Sequence, residues 1–255
     1  MAARKLLRRP GRDRAGRFLV EGAQAVREAL TWATVHELFV ADPSRHVALV
    51  GAARDAGARI SVVDERAAAT LSDTVTPQGL VAVCDLLDVP LAAALAGTPR
   101  LVAVCAAIAD PGNAGTVIRV ADAAGADAVL LAGDTVDPHN GKAVRASTGS
   151  VFHLPLARDR DAAAVLDACR SAGLTLLVAD GRGELDLHDP AADPVLAAPV
   201  AWVFGGEAHG VPADLAGAAD HRVRVPVHGR AESLNLATAA AVCLYASVAA
   251  RRRSC

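Results

Sequence analysis

The chain has 255 residues, 53% apolar, 21% charged and 3% aromatic, with a formal net charge of −2. That length holds one large domain or two modest ones, and the apolar share is enough for a buried core, which excludes a disordered tail. The charge excludes a global attraction for nucleic acid, and so few aromatic residues leave base stacking a minor mode of RNA binding.

Charge is distributed unevenly. Residues 1–17 carry Arg4, Lys5, Arg8, Arg9, Arg12, Arg14 and Arg17 against one acid, Asp13. They read as a basic arm able to follow a phosphate backbone or, equally, as a solvated terminus. Residues 18–21 then form a strand, 22–32 a helix, 35–40 a strand, 44–56 a helix and 59–63 a strand, followed by a short helix through Ala69. Turn residues at 76–79 lead into an apolar strand ending at Cys84. Residues 18–84 are therefore a small α/β unit. Pro90, Gly97 and Pro99 mark 85–100 as a linker with room for a short helix.

A second α/β unit spans 101–255. Its predicted strands are 101–107, 128–132, 151–156, 175–180, 199–205 and 222–227, with helices over 114–125 and 233–251 and a helix or turn at 144–148. Continuous apolar strands separated by helices predict a parallel sheet covered on both faces.

The cysteines Cys84, Cys105, Cys169, Cys243 and Cys255 form no CxxC pair. They fit neither a zinc site nor a disulfide framework and suit a reducing, cytoplasmic location. No apolar stretch reaches the roughly 18 residues of a membrane span, and no apolar segment of secretory type follows the N-terminal charges. The histidines lack HxxxH or HExxH spacing, so no metal site is expected.

Three turn-rich segments follow apolar strands, where open parallel sheets bind ligands. The first is Asp110-Pro111-Gly112-Asn113-Ala114-Gly115-Thr116, entering a helix that carries Arg119. Asn113 reads equally as a helix N-cap, and Arg119 as a solvated side chain or as an anion partner. The second is Phe204-Gly205-Gly206-Glu207-Ala208-His209-Gly210. It is not a dinucleotide fingerprint, and neither is DGRGEL at 180–185. The third runs from Val225 to Leu236, where Ser233 reads as an N-cap and Asn235 as a buried amide in need of partners.

In this order the segments resemble the SpoU (TrmH-like) branch of the SPOUT RNA methyltransferases. The match rests on DPGNAGTVIR (110–119), KAVRASTGSVFHLPL (142–156), FGGEAHG (204–210) and VPVHGRAESLNLATAAAVCLY (225–245). GRFLVEGAQAVREAL (16–30) and TPQGLVAV (76–83) are similar to the family's ribosomal-protein-like RNA-binding domain. Asp110 departs from a frequent Asn, and Leu236-Ala237 from a frequent Val-Ser.

The resemblance implies a C-terminal parallel-sheet domain with a deep trefoil knot, a homodimer, and methyl transfer from S-adenosylmethionine to a ribose 2′-hydroxyl. Ribosomal RNA is the favoured substrate; transfer RNA, or a non-catalytic RNA-binding role, is the alternative. The implied catalytic positions are Asn113, Arg119, Glu207, Ser233 and Asn235. The cofactor would touch Phe204, Gly205, Gly206, Glu207, Gly210, Val225, Pro226, Ser233, Leu234, Asn235 and Ala237. RNA would meet Arg8, Arg9, Arg12, Arg17, Arg119 and Arg145.

Overall fold

Short apolar runs punctuated by Gly, Pro and Asp become strands and capped helices in the computed structural model, which describes residues 2–254. Met1 and Cys255 lie outside the described residues. Two compact units result: one takes the chain up to Leu87 together with Asp137–His153, the other takes Asp88–Val136 and Leu154 onward. Sequence patterning had assigned 137–153 to the C-terminal unit; its Cα neighbours place it with the N-terminal one.

The N-terminal unit has four strands, β1 (Arg17–Glu21), β2 (Val35–Val40), β3 (Arg59–Val62) and β4 (Leu80–Asp85), ordered β1-β4-β2-β3. β4 is antiparallel to β1 and β2, while β2 and β3 are parallel. Helix Ala23–Trp32 buries Ala25, Val26 and Ala29, one stripe at helical spacing.

The basic arm is folded. Residues Ala2–Leu7 form a 3-10 helix and Arg9–Ala15 an α-helix, stopped by Gly16 at φ 63°, a left-handed conformation that glycine adopts at little steric cost. This corrects the expected role of Arg12, whose exposure is only 3%. Its Nε and Nη2 donate to Asp137 Oδ2 at 2.8 and 2.6 Å. Its Nη1 donates to the carbonyls of Leu6 and Leu7 at 3.0 and 3.1 Å. A guanidinium so enclosed is not presented to a phosphate. Arg145 is likewise engaged, half-buried between Glu21 and Asp73. Arg8 is exposed, Arg9 lies 3.7 Å from Asp13, and Arg17 lies 3.7 Å from Asp85.

The C-terminal unit is built on seven strands, β5 (Leu101–Ala106), β6 (Ala128–Ala132), β7 (Leu156–Asp159), β8 (Thr175–Ala179), β9 (Leu185–Asp186), β10 (Val200–Phe204) and β11 (His221–Arg224). Their order is β7-β6-β5-β10-β8-β11-β9, and each pairing is parallel. β5, β6 and β10 are buried along their whole length, which explains their unbroken apolar sequences.

Two strands depart from expectation by more than a residue, and proline explains both. Residues 150–152 form a 3-10 turn and β7 begins only at Leu156, because Pro155 has no N–H for the ladder. β11 ends at Arg224, short of Pro226, for the same reason. Helix Leu236–Ser254 packs on the sheet, where Trp202 Nε1 donates to Ser247 Oγ at 2.9 Å.

The strand order fixes where loops meet. The chain steps from β5 through β6 to the β7 edge, then returns to β8, and β10 fills the place between β5 and β8. The loops leaving the carboxyl ends of β5 and β10 are thus neighbours at a switch in strand order, the usual ligand position in such sheets.

Candidate active site

The loop after β5 turns tightly. Ala107 holds φ 54°, uncommon for a residue with a Cβ. Helix Pro111–Ala123 then begins, with Pro111 in its first turn and Asp110 as its cap. Asp110 Oδ1 accepts from the N–H of Asn113 at 2.9 Å. The cap is therefore Asp110 and not Asn113, whose carboxamide is left for other contacts.

The loop after β10 folds on itself. Gly210 N–H donates to Gly206 O at 2.8 Å. A Cβ on Gly205 would lie 2.0–2.2 Å from the Gly210–Val211 backbone, and one on Gly206 would lie 2.5 Å from Ala107 O. Only glycine allows these approaches, and the second ties the β10 loop to the β5 loop.

The third segment arrives from β11. Asn235 precedes the long helix, and its Oδ1 accepts from Ala237 N at 3.0 Å and Thr238 N at 3.3 Å. Asn235 is thus the cap that Ser233 was expected to be. It is also exposed rather than buried.

Side chains join the three segments. Asn235 Nδ2 donates to Asn113 Oδ1 at 3.2 Å, and Asn113 Nδ2 donates to Glu207 Oε1. Each amide is oriented by what it accepts and what it donates. The helix N–H groups fix Asn235, Asn235 fixes Asn113, and Asn113 aims at the carboxylate.

Other expected positions fall around this chain of bonds. Arg119 is exposed on helix 111–123, six residues beyond Asn113 and so about 9 Å along the axis and roughly 120° around it. Ser233 and Leu234 are exposed, Val225 and Pro226 half-buried, and Gly210 exposed. Phe204 is fully buried. Ala237 is 5% exposed, with its N–H committed to Asn235.

Sequence inspection missed a cleft of about 590 Å³ at the same end of the sheet, lined by Asp180, Arg182, Glu184, His209, Val211 and Arg222 among others. Glu184 accepts from Arg222 N at 3.0 Å, and this bond, with the Arg222 charge, holds its carboxyl below the ordinary value. The signal was the DGRGEL turn, which carries no recognisable fingerprint by itself. Among the described residues, no three His, Cys, Asp or Glu side chains gather as a metal site, and no helix is long and apolar enough to cross a membrane.

Residues 100–245, more than half of the chain, match the SpoU rRNA Methylase family. The chain belongs to the SpoU rRNA methylase family. Residues 1–82 of this SpoU protein match the MRM3-like substrate binding domain. Over 243 residues it is 36% identical to 23S rRNA (guanosine(2553)-2′-O)-methyltransferase RlmP of Bacillus subtilis (strain 168), covering 95% of this chain and 92% of that one. Two solved methyltransferase structures align over 99% of the chain, each with TM-score 0.85. One is the AdoMet-bound rRNA methyltransferase from Sinorhizobium meliloti, 31% identical over 93% of its length. The other is AviRb from Streptomyces viridochromogenes in complex with AdoMet, 29% identical over 97% of its length.

Proposed function

We propose that this SpoU chain transfers the methyl group of S-adenosylmethionine to a ribose 2′-hydroxyl of ribosomal RNA. The observation that carries this is the Asn235–Asn113–Glu207 hydrogen-bond chain, which draws three separate loops into one site at the switch in strand order.

The residues present suit the donor. Its adenosine needs exposed backbone and apolar edges, and its amino-acid end needs charge partners. The glycine loop at 205–210 supplies backbone, Val227 and Leu234 are 40% and 38% exposed, and the neighbouring cleft carries Asp180, Arg182, Glu184 and Arg222. Gly205, Gly206 and Gly210 with Val225, Pro226, Ser233 and Leu234 would hold it. When bound, the donor supplies a methyl on a positively charged sulfur, already activated for displacement.

The protein's task is then to place a ribose oxygen in line and stabilise charge as its proton departs. Asn113 and Asn235 hold the loops in register, and Glu207 anchors the β10 loop from the far end of the chain of bonds. The Arg119 guanidinium binds the phosphate beside the target ribose and stabilises negative charge there.

The homodimer and the knotted C-terminal path belong to the same proposal. The position of Arg119 supports the dimer: exposed and about 120° around the helix from Asn113, it serves a site completed by a second copy. The placement of β10 between β5 and β8 supports the non-sequential path.

Incubation with methyl-labelled S-adenosylmethionine and unmodified ribosomal or transfer RNA tests the proposal. Label is expected in 23S RNA. Exclusive labelling of transfer RNA would overturn the substrate, and no transfer to either would overturn the activity.

A further inference from the structure

The sequence presents residues 2–17 as a string of positive charges, but the structure gives them an interior. The 3-10 helix Ala2–Leu7 folds back on helix Arg9–Ala15 so closely that a Cβ on Gly11 would lie 1.9 Å from Lys5 O. Leu6 is buried and packs with Leu19, Phe39, Leu71, Val81 and Val83. Arg12 enters the same interior and closes the fold by binding Asp137 and the Leu6 and Leu7 carbonyls. Asp137 also accepts from His139 N at 3.0 Å. His139 in turn accepts on Nε2 from Leu87 N at 3.0 Å, which leaves its Nδ1 proton for Asp137 Oδ1, 3.3 Å away.

What remains outside is basic. Arg4, Lys5, Arg8 and Arg14 are exposed, with Arg9 half-exposed beside Asp13. Four cations held on two short helices and the residue joining them are a different object from four cations on a flexible arm. Their spacing is set before RNA arrives, so binding does not bear the cost of ordering the backbone.

We propose that residues 2–15 are a preorganised phosphate-binding clasp for RNA, and that Arg12 is its positioning residue and not one of its contacts. This rests on the RNA-directed function above. Arg4, Lys5, Arg8 and Arg14 make the contacts, and the buried Arg12–Asp137 pair keeps them in place. A buried charge pair is a poor source of net stability compared with apolar packing, so its use here is to fix one arrangement of the chain.

The test compares Arg12→Met with the surface double variant Arg8→Met/Arg14→Met in the full-length protein. RNA affinity is followed against salt with a 23S RNA fragment, and tryptic cleavage within residues 2–17 is timed. The surface variant should keep wild-type protection from trypsin and lose about 1.5 from the log–log salt slope, two phosphate contacts' worth. Arg12→Met should bind RNA about tenfold more weakly and be cut rapidly in the arm, while cleavage beyond residue 20 stays slow. An Arg12→Met/Asp137→Leu pair, which removes the stranded carboxylate, should recover part of the protection. Wild-type RNA affinity in Arg12→Met would overturn the anchor, and an unchanged salt slope in the surface variant would overturn the clasp. S-adenosylmethionine binding, measured by calorimetry on the same proteins, should not change. Loss of methyl transfer in the wild type would instead refute the enzymatic function and leave the binding arms of the test intact.

Discussion

Asn113 sits at the middle of the hydrogen-bond chain and has no substitute of the same shape with both a donor and an acceptor. Asn113→Ala should cut methyl transfer by about a hundredfold, because loops shifted by even 1 Å misalign an in-line displacement. Its stability loss should be small, about 1 kcal/mol, since Asn235 is exposed and water replaces part of the bond. A double-mutant cycle of Asn113→Ala with Asn235→Ala, read by urea unfolding, should return a coupling of about 0.5–1 kcal/mol. Additive effects would mean the two amides do not interact. Glycine is under a steric constraint in the same site. Gly205→Ala puts a methyl within 2.0–2.2 Å of the Gly210–Val211 backbone, so it should destabilise the protein by about 1–3 kcal/mol and weaken S-adenosylmethionine binding in calorimetry. These residues were visible in the sequence as types. Which of them cap helices was not, because Asp110, Asn113, Ser233 and Asn235 all suit an N-cap and only backbone direction separates them.

At the scale of elements, helix 111–123 carries both Asn113 and Arg119, so its first turn sets the geometry of the site. Asp110→Ala should lower stability by about 1 kcal/mol, whereas Asp110→Asn should be close to neutral, as measured by chemical denaturation. The Arg12–Asp137–His139 cluster ties helix 9–15 to the segment at 137–153. Burial alone would raise the Asp137 pKa, but the hydrogen bonds from His139 and the Arg12 charge outweigh it and hold the carboxyl well below the ordinary range. A folded-state value below the unfolded one, about 3.9, adds stability that is complete above that value and disappears as pH falls through the folded value. The wild type should therefore lose urea resistance progressively below about pH 4, and Asp137→Asn should be weaker at pH 7 and flatter toward acid. A parallel acid profile in the variant would contradict this.

Elements buried on both faces were legible in the sequence. β5, β6 and β10 appear as unbroken runs because no side of them meets water. The run at 151–156 misled, since an apolar stretch has no period to separate strand from turn until Pro155 is considered. The burial of Arg12 was illegible because its partner lies 125 residues away.

At the scale of the whole molecule, the proposed completion of the active site by a second copy has a simple consequence. Mixed dimers of Asn113→Ala with Arg119→Ala chains would contain one intact site each, assembled from the unmutated residue of either chain. After refolding the two inactive variants together, activity should return to about a quarter of wild type. Absence of any recovery would place Arg119 in the same chain's site or outside it. The family, the α/β architecture and the order of the three loops were readable from sequence because each loop has a distinctive composition. Their convergence was not, since strand order and not proximity in sequence brings them together.

The most direct measurement is the position of the transferred methyl. RNA labelled by the enzyme would be hydrolysed in alkali, and the label followed by size. A 2′-O-methyl ribose cannot attack its neighbouring phosphodiester, so label in an alkali-resistant dinucleotide is the predicted result. Label released with mononucleotides would place the methyl on a base and contradict ribose transfer by this site.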